Sequence, residues 1–96
     1  MNMQALMKQA QNLQKDMMKT KSEIDGMEFI GESSLVKVKV NGKKEILEVT
    51  IVSDIDPSDI EILQDMILVA TNNALKEVDK ITEKKMGKFT SMMPGF

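Results

Sequence analysis

The chain of 96 residues predicts an α+β fold with an N-terminal helix, a three-stranded antiparallel sheet and a long C-terminal helix. Three observations carry this. Apolar residues recur at helical spacing in the first segment, apolar and polar residues alternate through the next, and Asp56-Pro57-Ser58-Asp59 opens a second, longer helical stretch.

In the first segment Met3, Leu6, Ala10, Leu13, Met17, Thr20 and Ile24 alternate spacings of three and four. That is the a/d seam of a heptad pattern, and it predicts a helix over Asn2 to Asp25. Gly26 stands where glycine commonly ends a helix. Lys8 and Lys15 take the outward f position and Lys19 the c position, so all three project away from the seam.

Alternation follows. Met27 and Phe29 oppose Glu28 and Ile30, Val36, Val38 and Val40 oppose Lys37 and Lys39, and Leu47, Val49 and Ile51 oppose Glu48 and Thr50. These blocks predict three short antiparallel strands. Asn41-Gly42 marks a hairpin, and a four-residue loop over Asn41 to Lys44 keeps apolar residues together by pairing Val38 with Leu47 and Val36 with Val49. The same register sets Lys37 opposite Glu48 on the solvent face.

At the second helix Asp56 is the expected N-cap and Pro57 the first helical residue, where its missing N–H costs nothing. The helix is predicted to run to about Lys85. Ile60, Leu63, Ile67, Ala70, Ala74, Val78 and Ile81 form its core stripe, but Ile62, Met66, Leu68 and Val69 make its first half apolar almost all round. A helix at the edge of a small monomer keeps one polar face. Burial on two sides is therefore expected, with Ile62, Met66, Leu68 and Val69 meeting a second copy in a homodimer. Beyond Gly87, the tail from Phe89 to Phe96 holds Ser91, Pro94 and Gly95 without periodicity. A single domain over 1–96, loose from about 90, is predicted.

Charge is segregated along this plan. Met1 to Lys21 carries four lysines against Asp16, a net +3, and Lys76 to Phe96 carries five against Glu77, Asp79 and Glu83, a net +2. Between them four lysines face eleven carboxylates, a net −7, so the overall −2 conceals two basic ends around an acidic centre. A polyanion is attracted to the ends and repelled from the middle. Lys76, Lys80, Lys84 and Lys88 form a slowly turning ridge on the last helix. Neighbouring Glu77 and Glu83 would make it an ordinary solvated face, but the first helix supplies a lysine row independently, and two basic helices on one small domain suit a phosphate backbone.

Other chemistry is poorly supplied. Without histidine or cysteine there is no thiolate or imidazole ligand set, and Asp54, Asp56, Asp59 and Glu61 fit helix capping better than a calcium loop, which needs glycine at its sixth position and glutamate at its twelfth. Gly87-Lys88 lacks the rest of a phosphate loop. No catalytic residue, metal, cofactor or small-molecule substrate is expected. Absent cysteine suits a reducing compartment, and no apolar run matches a signal peptide or a membrane span of about 20 residues. A cytoplasmic protein is expected. The ten methionines fit core and seam packing, and the first helix lacks the aromatic anchors of a membrane-surface helix.

With this order of elements the chain resembles the YbaB/EbfC nucleoid-associated proteins of bacteria. The resemblance rests on residues 36–43 in the hairpin, on Asp59, Glu61, Leu63, Asp65, Ile67, Ala70, Asn72 and Ala74, on residues 83–90, and on Met3, Leu6, Met7, Lys8, Gln9, Ala10 and Gln11. It implies a cytoplasmic, nucleoid-associated homodimer whose helices project like tweezers, bind double-stranded DNA with loose sequence preference, and affect nucleoid organisation and gene expression. Lys8, Lys15, Lys19, Lys80, Lys84, Lys85 and Lys88 are the expected DNA contacts. Ser33-Ser34 stands where the family often carries glycine, which predicts a wider bend between the first strands. Arginine is absent, and lysine lacks the bidentate fork that reads guanine. The alternative is a non-catalytic adaptor, a helical dimer gripping another protein through its seam and methionine-rich faces.

Overall fold

The computed structural model describes residues 2–92. Helix α1 spans Met3–Asp25, strands β1, β2 and β3 span Glu28–Ser33, Val36–Asn41 and Ile46–Ile51, and a short 3-10 turn over Pro57–Asp59 leads into helix α2, Ile60–Met92. The α+β order predicted from sequence is the order found.

Both helix starts are capped as their sequences require. Asn2 accepts a hydrogen bond from the Gln4 N–H at 2.9 Å, and Asp56 accepts from both the N–H and the hydroxyl of Ser58 at 2.9 Å. Those two bonds hold the Asp56 carboxyl below its ordinary pKa, the backbone bond foremost. Gly26 closes α1 at φ −88°, without the left-handed conformation that its residue type would permit.

The sheet has the order β1-β2-β3, antiparallel throughout. Ser33 pairs with Val36, so β1 and β2 are joined by a tight two-residue turn rather than a wider bend. Ser34 takes φ 51° to make it, the conformation glycine would adopt at lower cost.

The second hairpin departs from the predicted register. The Asn41 N–H donates to the Glu45 carbonyl at 3.0 Å, leaving a three-residue loop in which Lys44 sits at φ 66°. Val40 then pairs with Ile46, but Lys39 pairs with Glu48, so Leu47 is the extra residue of a β-bulge. Beyond it Val38 meets Val49 and Val36 meets Ile51. Lys37 lies opposite Thr50, and Glu48 is the partner of Lys39 instead, at 3.6 Å.

The core lies between α2 and the first two strands. Val36, Val38, Val40, Ala70 and Ala74 are fully buried, with Phe29 and Val78 beside them. α2 packs on β1 and β2. Its backbone comes so close to β1 that a Cβ on Gly31 would overlap the Ala70 carbonyl and the Ala74 N–H, and Asn73 donates to the Glu32 carbonyl at 3.2 Å. Ile60, expected in the core stripe, is exposed because the sheet ends short of it, while Leu63, Ile67 and Ile81 are half-buried.

α2 continues to Met92 rather than stopping near Lys85. Gly87 has open space around it, and its cost in a helix interior, about 1 kcal/mol against alanine, is offset by the burial of Phe89 in the same turn. Phe89, expected in a loose tail, is 1% exposed. Of that tail, residues 89–92 are helical, and 93–96 lie outside the described residues.

Replacing Gly31 with alanine is expected to drive α2 off β1. A cost at or above the 1–3 kcal/mol typical of overpacking should show as a lower urea midpoint at unchanged slope. An unchanged midpoint would mean that α2 is not seated as described.

Candidate nucleic-acid interface

The two helices meet away from the sheet. The C-terminal end of α1 lies beside the last third of α2, where Lys21, Ile24, Asp25, Gly42, Thr82, Glu83, Met86, Gly87 and Thr90 line a shared groove of about 740 Å³. The β2–β3 loop is the joint. Gly42 abuts the Ile24 carbonyl so closely that any side chain there would overlap it, and the Lys44 ammonium pairs with Asp79 at 2.7 Å. Asn41 shapes this loop, its side-chain oxygen accepting from the N–H groups of Lys43 and Glu45 at 2.9 and 3.0 Å.

Burial along α1 falls steadily toward its start. Ile24 is buried, Thr20, Met17 and Leu13 are half-buried, and every residue from Asn2 to Asn12 is exposed. The heptad seam is thus covered by α2 only in its second half, and Met3, Leu6 and Ala10 are bare. At about 1.5 Å per residue α2 is roughly 50 Å long, yet the molecule extends 71 Å. The first turns of α1 supply the difference, projecting past the end of α2.

Lys8 is exposed on this projecting part, and Lys15 and Lys19 are exposed on the outer side of the half that packs on α2. At about 100° per residue they fall within a sector of roughly 40°, opposite the seam. Among the described residues none of the three forms an ion pair. Lys84 and Lys85 are likewise exposed and without ion pairs, whereas Lys80 pairs with Glu77 at 3.2 Å. Lys88 is exposed, its ammonium 4.9 Å from the centroid of the Phe89 ring. The structure therefore gathers Lys8, Lys15 and Lys19 into one row, and it sets Lys80 and Lys84 on the separate outer side of α2.

The sheet is treated differently. Lys37 lies 3.8 Å from Glu32, and Lys39 lies between Glu28 at 3.9 Å and Glu48 at 3.6 Å. Such exposed pairs add little stability, but they neutralise the outer face of the sheet. Among the described residues no group of His, Cys, Asp or Glu is placed to hold a metal ion, and no helix is long and apolar enough to cross a membrane.

One surface is not evident from the sequence pattern. β3 is exposed at every residue, including Ile46, Leu47, Val49 and Ile51, because α2 covers only its two neighbours. The alternation of Leu47, Val49 and Ile51 predicts a buried face on β3, and in this structure that face is open. Ile62, Leu68 and Val69 on α2 are exposed as well, and Met66 is half-buried against the core.

An α+β chain with two lysine-bearing helices standing off a charge-balanced sheet has the build of a small DNA-binding protein. The chain belongs to the YbaB/EbfC DNA-binding family, whose model matches residues 1–93. A nucleoid-associated protein of Lactococcus lactis subsp. cremoris (strain MG1363) is 47% identical over 97 residues, spanning 98% of each chain. One from Clostridium novyi (strain NT) is 48% identical over 100 residues, covering 99% of this chain and 88% of its own length. Another from Enterococcus faecalis (strain ATCC 700802 / V583) is 42% identical over 98 residues, covering 99% and 94%.

Phe89 anchors the helix pair, so Phe89→Ala should cost on the order of 3–5 kcal/mol and free α1 from α2. Amide exchange is expected to rise across α1 more than across β2. Equal protection of α1 in both proteins would show that the helix pair is held by something else.

Proposed function

We propose that the protein is a nucleoid-associated, cytoplasmic DNA-binding protein that holds duplex DNA chiefly through lysine–phosphate contacts. The observation that carries this reading is the α1 row, in which Lys8, Lys15 and Lys19 are exposed, aligned opposite the seam and, among the described residues, without ion pairs. Lys80, Lys84, Lys85 and Lys88 of α2 extend the basic surface. Phosphate contact releases condensed counterions and needs no base-reading fork, which suits a chain with lysine only. Phe29 and Phe89 are both buried, so neither offers a stacking platform, and duplex is the favoured form over single strands. Through such binding the protein would affect nucleoid organisation, in keeping with relatives named nucleoid-associated proteins, and with it gene expression.

A homodimer is part of the proposal. Ile46, Leu47, Val49 and Ile51 on β3 and Ile62, Leu68 and Val69 on α2 are too many large apolar side chains for a settled monomer surface. A second copy covers them, with Met66 at the margin. The bare turns of α1 around Met3, Leu6 and Met7 are the feature that favours an adaptor instead. Heteromeric co-purification that survives nuclease and high salt would support that reading.

Titrating a fluorescent duplex of arbitrary sequence at several salt concentrations tests the main reading. For a dimer engaging about six phosphates, log K should fall against log salt with a slope near −5, at roughly −0.9 per contact. Substituting Lys8, Lys15 and Lys19 with glutamine should weaken all sequences about equally. A loss confined to one sequence would contradict backbone binding, and absence of binding at low salt would sink the proposal.

For the dimer, Val49→Glu is expected to yield monomers in sedimentation velocity while the circular dichroism spectrum is retained. A variant that still sediments as a dimer would move the interface away from β3.

A further inference from the structure

The two lysine rows face opposite ways. On α1, the residues covered by α2 are Leu13, Met17, Thr20 and Ile24, and at about 100° per residue these lie roughly 120–180° around the helix from Lys8. On α2, the covered positions in the last third are Thr82, Met86 and Phe89. Lys76, Lys80 and Lys84 are all exposed and lie about 140–220° around from Phe89. Each row thus sits on the far side of its helix from the shared seam. With two packed helices of about 10–12 Å diameter, the rows stand on the order of 20 Å apart, back to back.

A straight duplex laid on one row cannot reach the other, because the helix pair stands between them. We propose that the helix pair bridges DNA, the α1 row holding one duplex and the α2 row a second. This rests on the reading of the protein as a phosphate-backbone binder and adds to it a function, joining two DNA segments. The two faces are unequal. Only Asp16 interrupts the lysines of α1 before Glu23, whereas Glu77 and Glu83 flank the α2 row, and Lys80 is already paired with Glu77 at 3.2 Å. The second duplex is therefore held more weakly and is released first as salt rises.

The experiment captures a fluorescent duplex on beads that carry an immobilised duplex, in parallel with anisotropy on a single free duplex. Two variants are compared with the wild type: Lys8→Gln with Lys15→Gln and Lys19→Gln, and Lys76→Gln with Lys80→Gln and Lys84→Gln. Glutamine has nearly the helix propensity of lysine, and circular dichroism checks the fold. The wild type should capture, and capture should vanish at lower salt than single-duplex binding. The α2 variant should lose capture by about tenfold or more beyond whatever loss of single-duplex affinity the parallel anisotropy reads, consistent with three lost contacts to the second duplex. Single-duplex binding by the wild type without capture would overturn the bridge and leave the binding reading standing. So would undiminished capture by the α2 variant, because a dimer using only its two α1 rows would behave that way. A wild type that binds no duplex overturns both.

Discussion

The closeness of α2 to β1 at Gly31 governs the rest of the molecule. Ala70 and Ala74 are fully buried there, and glycine opposite two alanines lets helix and strand backbones approach without side chains between them. A helix seated this deeply is fixed over β1 and β2 and cannot also cover β3. The apolar face of β3 is left open as a direct result. The same seating aims the last turns of α2 beyond the sheet, where Thr82 and Met86 line a groove shared with Ile24 of α1 and Gly42 of the β2–β3 loop, and Phe89 is buried. One close contact therefore sets both the exposed apolar face of β3 and the direction of the basic helices.

The charges follow the same division. On the sheet, Lys37 and Lys39 are matched by Glu32, Glu28 and Glu48 within 4 Å, and at the joint Lys44 is matched by Asp79. On the outer side of α1 the lysines are not matched in this way, since Lys8, Lys15 and Lys19 share their segment with Asp16 alone. The sheet itself is balanced, the central excess of carboxylates lying at Glu23 and Asp25 and between Asp54 and Asp65, and the lysines of α1 stand on a face whose packing does not depend on them. Glutamine substitutions on the arms can therefore probe binding without disturbing the core.

Features with a local cause are readable from the sequence. The heptad seam marks α1, the alternation of Val36, Val38 and Val40 marks β2, and Asp56-Pro57 marks the start of α2, because capping and periodicity act over a few residues. Lysines at fixed helical spacing likewise locate the α1 row from periodicity alone. The features that sequence does not reveal depend on tertiary packing. Lys44 and Ser34 take left-handed conformations that their residue types do not announce, and the first of these, with the bulge at Leu47, moves the hairpin register. Gly87 looks like a helix end but is carried through by the burial of Phe89, which depends on the meeting of the two helices rather than on local pattern. That rows on two helices face apart is visible only once the shared seam is known.

The length of the arms explains how a chain of net charge −2 can attract DNA at all. At physiological ionic strength charges interact over a Debye length of about 8 Å. Lys8 precedes Ile24 by sixteen residues, so along a helix rising about 1.5 Å per residue it stands roughly 24 Å from the joint with the body. A phosphate at Lys8 is thus about three screening lengths from the carboxylates around the sheet and feels chiefly the lysines beside it. Net charge, which sums over the whole chain, carries no information at that distance. A shorter α1 with the same lysines would place them inside the field of the acidic centre and cancel their attraction, so the bare, half-unpacked length of α1 is what separates the two fields.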